Sequence, residues 1–236
     1  MNFRQFLDRR SLSLSYVLAC PHTGKALMID PVLDDWMLYL GVIDEMGWQL
    51  EAVLETHLHE DRLSAAAAIR QACGAKVLSG DARMTGADRC LADGEILQVG
   101  QLAVQVLATP GHTPACVSYL CADRLFAGDC LRIGDCGHLC GQQADQGQMY
   151  DSITRRLLSL PDETLLYPGH DANGRQVGCI GEERRRNPFF GGVSRDEFMA
   201  RMTARQRTLP TNVEDIVARN MACGLPFSKS TQRSFS

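Results

Sequence analysis

The sequence predicts an α+β protein in which two β-sheets lie face to face and helices cover their outer surfaces. Three observations predict it. Strand-like runs occur in both halves of the chain with helix-like runs between them, which suits two sheets sandwiched by helices better than one doubly wound sheet. No low-complexity linker interrupts the first 170 residues. From residue 180 the composition shifts to charged, helix-forming segments that end at Gly224, the mark of an appended helical subdomain. The expected division is 1–179 for the sandwich and 180–236 for a helical extension packed on it, with the nine residues after Phe227 frayed.

The elements follow in order. Residues 12–20 alternate as a strand. Pro21 to Lys25 supplies a turn, and Ala26 to Ile29 a second strand that stops at Asp30-Pro31. Residues 34–46 carry apolar side chains at helical spacing, read as core, and stop at Gly47. Leu50 to Glu55 is a short strand. Asp61 is placed to cap a helix running through the alanines to Cys73, with Gly74 as its C-cap. Lys76 to Leu78 is a strand. Glu95 to Val99 and Gln101 to Leu107 form a hairpin hinged at Gly100. Cys116 to Leu120 and Arg124 to Ala127 follow as strands, then a Gly- and Cys-rich loop to about residue 148, a helix at 149–159 and a strand at 164–167.

Composition narrows the function classes. A chain of 236 residues buries roughly 70–75% of its unfolded surface, so it needs neither disulfide nor metal to fold. The net charge of −4 and the lack of a basic stripe argue against nucleic acid, which needs clustered cations. Arg184, Arg185 and Arg186 follow two glutamates and read as a solvated helix face. No apolar run approaches the roughly 18 residues of a membrane span. The N-terminus is better explained by strand alternation than by an export signal, and a cytoplasmic address is expected. Ten cysteines without paired CxxC motifs read as mostly reduced thiols rather than a zinc ribbon. No GxGxxG or phosphate-binding loop occurs, so no nucleotide cofactor is implied; GCIGEE at 178–183 reads as a helix entry.

The chemistry concentrates at strand ends. His57, His59 and Asp61 lie on irregular backbone directly after an apolar strand, where an i, i+2, i+4 set can converge on one point; Glu60 between them reads as solvent-facing. Pro110-Gly111-His112, Gly128-Asp129 and Pro168-Gly169-His170 each end a strand, with Gly permitting a sharp exit. Imidazoles and a carboxylate delivered from four separate strand ends signal a metal centre. His22, by contrast, reads as a surface or structural residue.

The motifs THLHED, TPGHT, AGD and YPGH, in this order and spacing, resemble the metallo-β-lactamase superfamily. Within it the chain resembles the persulfide dioxygenase (sulfur dioxygenase) family through LMIDPV at 27–32, Asp135-Cys136-Gly137, Glu182-Glu183-Arg184 with Asn187-Pro188, and Asn220 to Gly224. The resemblance spans roughly residues 12–224. It implies the αββα sandwich, His57, His112 and Asp129 as ligands of one Fe(II) per chain, and His59, Asp61 and His170 around them. It also implies a low-molecular-weight persulfide, glutathione persulfide above all, oxidised by O2 to sulfite and thiol.

Three departures bear on this. Arg62 stands where the superfamily usually has a histidine ligand for a second metal. A guanidinium offers only donors and stays protonated. Two unit charges about 4 Å apart at an effective dielectric of about 20 interact by about 4 kcal/mol, so a divalent ion beside it is strongly opposed. One metal is therefore expected, and two histidines with one carboxylate form the facial triad of Fe(II) oxygenases. If His59 also binds, the set becomes more zinc-like; the sequence leaves this open. His138 replaces an arginine and Ala172 a tyrosine, which alters substrate positioning. Arg62, Cys136 and His138 are the candidate substrate-binding residues, and Cys136 and Cys140 are a candidate redox pair. A zinc-dependent thioester hydrolase resembling glyoxalase II is the first alternative, and a non-catalytic persulfide or redox sensor the second. A homodimer is expected on base rate, with no nucleic-acid or membrane partner.

Overall fold

The computed structural model describes residues 1–140, 144–170, 174–205 and 211–224. Two six-stranded sheets form its centre. The first contains β1 (Asn2–Asp8), β2 (Ser13–Ala19), β3 (Lys25–Ile29), β4 (Gln49–Glu55), β5 (Lys76–Ser79) and β6 (Arg89–Cys90), paired in that order. β1 to β3 are antiparallel, and β3 to β6 run parallel. The parallel pairs need crossovers: α1 (Trp36–Glu45) supplies that from β3 to β4, α2 (Ala66–Cys73) that from β4 to β5, and an irregular segment, 80–88, joins β5 to β6.

The second sheet uses β7 (Ile96–Val99), β8 (Leu102–Ala108), β9 (Val117–Cys121), β10 (Arg124–Gly128), β13 (Leu165–Pro168) and β14 (Gly178–Cys179), in the order β14-β13-β10-β9-β8-β7. Its one parallel pair, β10 with β13, is bridged by a small hairpin, β11 (Leu131–Arg132) with β12 (Asp135–Cys136), and by α3 (Gln146–Ser152), which runs on into a π-turn at Ile153–Leu157. The helices α4 (Ile180–Arg186), α5 (Arg195–Ala204) and α6 (Val213–Met221) complete the described chain.

Period-2 alternation sorts each strand into two layers. Leu14, Tyr16 and Leu18 of β2 face the inter-sheet core with Phe126, Tyr119 and Tyr167 of the other sheet. Val17 and Ala19 face outward onto α1 and α2, with Tyr39, Ile43 and Ile69. Both faces of β2 are thus covered, and every residue in it is buried. On the far side, Leu125, Ala127 and Leu166 pack against Met149, Ile153, Ile180 and Phe198 of the helices. The layers run helix, sheet, sheet, helix, as the alternation of segments predicts.

Several boundaries differ from the sequence reading. β1 is not assigned there. It is an edge strand with alternating exposed and half-buried residues, held by its register with β2, so its apolar signal is weak. The 34–46 helix opens with a 3-10 turn at Leu33–Asp35. α2 starts at Ala66, and Asp61 does not cap it; Ser64 Oγ accepts from Ala66 N (3.0 Å), while Asp61 is drawn to His170. Gly74 does close that helix in the left-handed region. The 149–159 helix begins earlier, because Asp145 caps it by accepting from Gln148 N (2.8 Å). The frayed tail lies outside the described residues.

Candidate metal centre

Asp30 directly follows β3, and Thr56 directly follows β4. Asp30 accepts two hydrogen bonds from Thr56, one from its backbone N and one from Oγ1, each 2.7 Å. The Thr56 hydroxyl has one proton, and Asp30 takes it. Oγ1 can then only accept from His57 Nδ1, 2.9 Å away. The His57 proton is thereby held on Nδ1, leaving the Nε2 lone pair free. His112, in the exit after β8, is set the same way, since its Nδ1 donates to the backbone carbonyl of His138. Hydrogen bonds of this kind fix the tautomer of metal-binding imidazoles.

Asp129 leaves the end of β10 through Gly128, whose φ of 53° lies in the left-handed region. A Cβ at Gly128 would also run into the Thr56 side chain. These turns bring His57, His112 and Asp129 together, all buried, with their ligand atoms within 4.8 Å of one another. Gly137 closes over them; a Cβ there would meet the Asp129 carbonyl and lie 2.9 Å from His112 Nδ1.

The charges suit a cation. Burial, reinforced by the neighbouring His59 and His112, holds His57 well below the ordinary histidine value. Burial also lowers His112 to about 4. Both are neutral at neutral pH. Burial alone would raise the Asp129 carboxyl, but Arg132, His170 and His112 outweigh it and keep it ionised. His170 donates from Nδ1 to Asp129 Oδ1 (2.7 Å) and from Nε2 to Asp61 Oδ2 (2.8 Å). Those two carboxylates overcome the burial that opposes its charge and raise His170.

His59 lies beside this set, its ring centroid 4.0 Å from that of His57. Its Nε2 is 3.1 Å from Glu55 Oε2 and 3.4 Å from Asp30 Oδ1, while Nδ1 is buried with no partner. Burial and Arg62 oppose its protonation, yet hydrogen bonds to Asp30 and Glu55 raise it to about 9. Asp30, Glu55 and His59 are close enough to form a second ligand group. Their atoms are already engaged: Asp30 accepts twice from Thr56, and Glu55 accepts from Ser64 Oγ. Arg62 is buried beside them. It donates to the backbone carbonyls of Pro31 (3.2 Å) and Asp30 (3.0 Å), with Nη2 3.2 Å from His59 Nε2.

The residues fit a divalent ion at the first group. They offer two neutral imidazoles with free Nε2 lone pairs and one carboxylate; His59 stands beside them, its buried Nδ1 a ligand only once the ring gives up a proton. Three expectations need correction. Glu60 is only 7% exposed, because Asn220 of α6 clamps the backbone on either side of it, accepting from Ser64 N and donating to the carbonyls of His59 and Arg62. Cys136 does not face the centre: it is fully buried in the outer apolar layer, its Sγ on Met202 Sδ, and burial pushes its thiol up to about 12. Such a thiol is unsuited to a redox signal. All ten cysteines, Cys140 included, are free. His138 is half-buried and contributes its carbonyl to His112, and Ala172 lies outside the described residues. Four residues were given no role by the sequence reading, although three of them lie in motifs it quotes: Asp30, Thr56 and Asn220, with Arg132. Asp30 and Thr56, at strand ends, and Asn220, in a segment that carries the family resemblance, had a signal that could have found them; Arg132 had none.

Comparison with known proteins agrees with this architecture. A family model described as the metallo-beta-lactamase superfamily matches residues 8–170. A bovine protein named persulfide dioxygenase ETHE1, mitochondrial, is 32% identical over 229 residues, covering 94% of this chain and 88% of its own. A hydroxyacylglutathione hydrolase of a Polaromonas species is 37% identical over 166 residues, covering 67% of this chain and 62% of its own. The crystal structure of ETHE1 from Myxococcus xanthus superposes with a TM-score of 0.93 at 41% identity, over 95% of this chain and 100% of that one. The chain belongs to the metallo-β-lactamase superfamily and, within it, to the persulfide dioxygenase family of enzymes.

Proposed function

We propose that the chain is a mononuclear, iron-dependent sulfur dioxygenase that oxidises glutathione persulfide, or a related low-molecular-weight persulfide, with O2 to sulfite and thiol. The observation that carries this reading is the wiring of the neighbouring cation position. Asp61 and His170 are hydrogen-bonded directly to each other, and a buried arginine occupies position 62. One ligand group then remains for a metal: His57, His112 and Asp129. A ferrous ion there would supply coordination sites for a persulfide sulfur and O2 and relay electrons between them, the persulfide sulfur being the net reductant and water the source of sulfite's third oxygen. The protein's own residues do the rest. Thr56 and the His138 carbonyl keep both imidazole lone pairs aimed inward, Asp61 and His170 orient the carboxylate, and burial limits water. His138 and Arg62 remain the proposed substrate-side residues.

Iron is chosen over zinc on the two-histidine, one-carboxylate set. The similarity to a hydroxyacylglutathione hydrolase and the free Nδ1 of His59 favour the alternative, a zinc-dependent thioester hydrolase. Metal analysis and an oxygen electrode separate them. About one iron per chain, with O2 uptake and sulfite formation on adding glutathione persulfide, is the expected outcome. Two metal equivalents with oxygen-independent thiol release from S-lactoylglutathione would overturn it. The division at 179/180, a homodimer and a cytoplasmic address complete the proposal; the bovine relative is mitochondrial by its name. Among the described residues no helix is long and apolar enough to cross a membrane.

A further inference from the structure

Besides His59 Nδ1 and Arg62 Nε, two nitrogen atoms of the segment that follows Asp129 are buried with no partner among the described residues: Arg132 Nε and His138 Nδ1. Arg132 is only 9% exposed. A guanidinium has five donors and no acceptor, and a buried donor left unmet is destabilising. Both residues belong to the short segment that carries the β11–β12 hairpin, and both touch the candidate ligands. Arg132 Nη2 donates to Asp129 Oδ2 and lies 3.5 Å from His170 Nδ1. The His138 backbone carbonyl accepts from His112 Nδ1. Arg205 holds the hairpin in place, donating to the Cys136 carbonyl and to Asp135 Oδ2, each 2.9 Å.

The charge balance points the same way. Without a metal, Asp129 and Asp61 are matched by Arg132 and His170. A divalent ion on Asp129 adds two positive charges that no described neighbour on that side offsets. An anion is what such a site lacks. We propose that Arg132, together with His138, forms an oxyanion-binding subsite beside the candidate metal position, taking a small tetrahedral or pyramidal oxyanion. The choice of sulfite as that ligand rests on the reaction proposed above; the oxyanion class rests on the unmet Arg132 donor, which His138 joins in the tautomer that carries its proton on Nδ1. The guanidinium fork accounts for the geometry, since it can keep Asp129 on one nitrogen while presenting others to a ligand oxygen.

The competing role is a brace that only holds Asp129. Calorimetric binding of sulfite and, separately, of phosphate to the metal-loaded protein distinguishes the two, with metal content measured on the same samples. Arg132→Leu should weaken sulfite binding at least tenfold while retaining the metal, because removing a cation next to Asp129 does not disfavour a divalent ion there. Arg132→Lys should fall between, and His138→Leu should weaken binding several-fold; these two decide the matter should Arg132→Leu fail to fold. Unchanged sulfite affinity in the Arg132 variants, or metal lost in step with sulfite, would overturn the subsite in favour of the brace. So would failure of wild type to bind either anion. Binding of phosphate without sulfite would uphold the subsite and sink the sulfur reading alone.

Discussion

At the scale of single residues, one hydroxyl proton sets the tautomer of a candidate ligand. Thr56 gives its proton to Asp30 and so must receive the one on His57 Nδ1. Thr56→Val removes the acceptor at nearly constant volume and leaves the imidazole free to carry its proton on the metal-facing nitrogen. Chelator competition should then show metal affinity falling by about 10–100-fold, and Thr56→Ser should restore most of it. An affinity unchanged in Thr56→Val would show that the ring's orientation is set elsewhere. The same logic explains why Arg62 is more than a missing ligand. Its guanidinium does not swing out to solvent but donates to two backbone carbonyls that carry the Asp30 turn.

At the scale of elements, the centre is assembled by strand exits and locked by a distant helix. Gly137 shows how tight the assembly is, since a methyl group there would collide with the Asp129 carbonyl and press on His112. Gly137→Ala should lower both metal content and melting temperature; a variant with a normal melt and full metal would show the loop can yield. The lock is Asn220 on α6, whose side chain makes three hydrogen bonds to the loop at 59–64 (2.8–2.9 Å). Asn220→Ala leaves those backbone groups buried without partners and should cost about 2–4 kcal/mol. For a chain of this size that corresponds to a fall of roughly 4–16 °C in a thermal melt, with faster metal loss. α6 is therefore part of how the centre is held, although it lies beyond the residues matched by the family model.

At the scale of the whole molecule, the buried histidines make stability depend on pH in two opposed ways. His112 sits at about 4 in the folded protein against 6.5 for a free histidine, with His57 lowered in the same sense. As pH falls below about 6.5, the unfolded chain takes up protons that the folded one refuses, so stability drops toward pH 4. His59, raised to about 9, acts in reverse: its contribution is full below about 6.5 and is lost as pH rises to 9. Each group contributes on the order of 1.4 kcal/mol per pH unit within its window. Thermal melts of the metal-free protein should therefore peak near pH 6.5 and fall on both sides; a plateau from pH 5 to 9 would contradict the buried arrangement. Much of this molecule was legible in its residues. The alternation of strand-like and helix-like runs predicted the layered architecture, and His and Asp at four strand ends, three of them preceded by Gly, marked the centre, because period and turn chemistry are local properties of the chain. The edge strand β1, the burial of Glu60 and Cys136, the tautomer of His57 and the clamp of Asn220 were not legible. β1 pairs locally with β2 and was hidden by its polar, half-exposed residues; each of the others depends on atoms that meet across more than a dozen residues of sequence, and only the packed tertiary structure decides that.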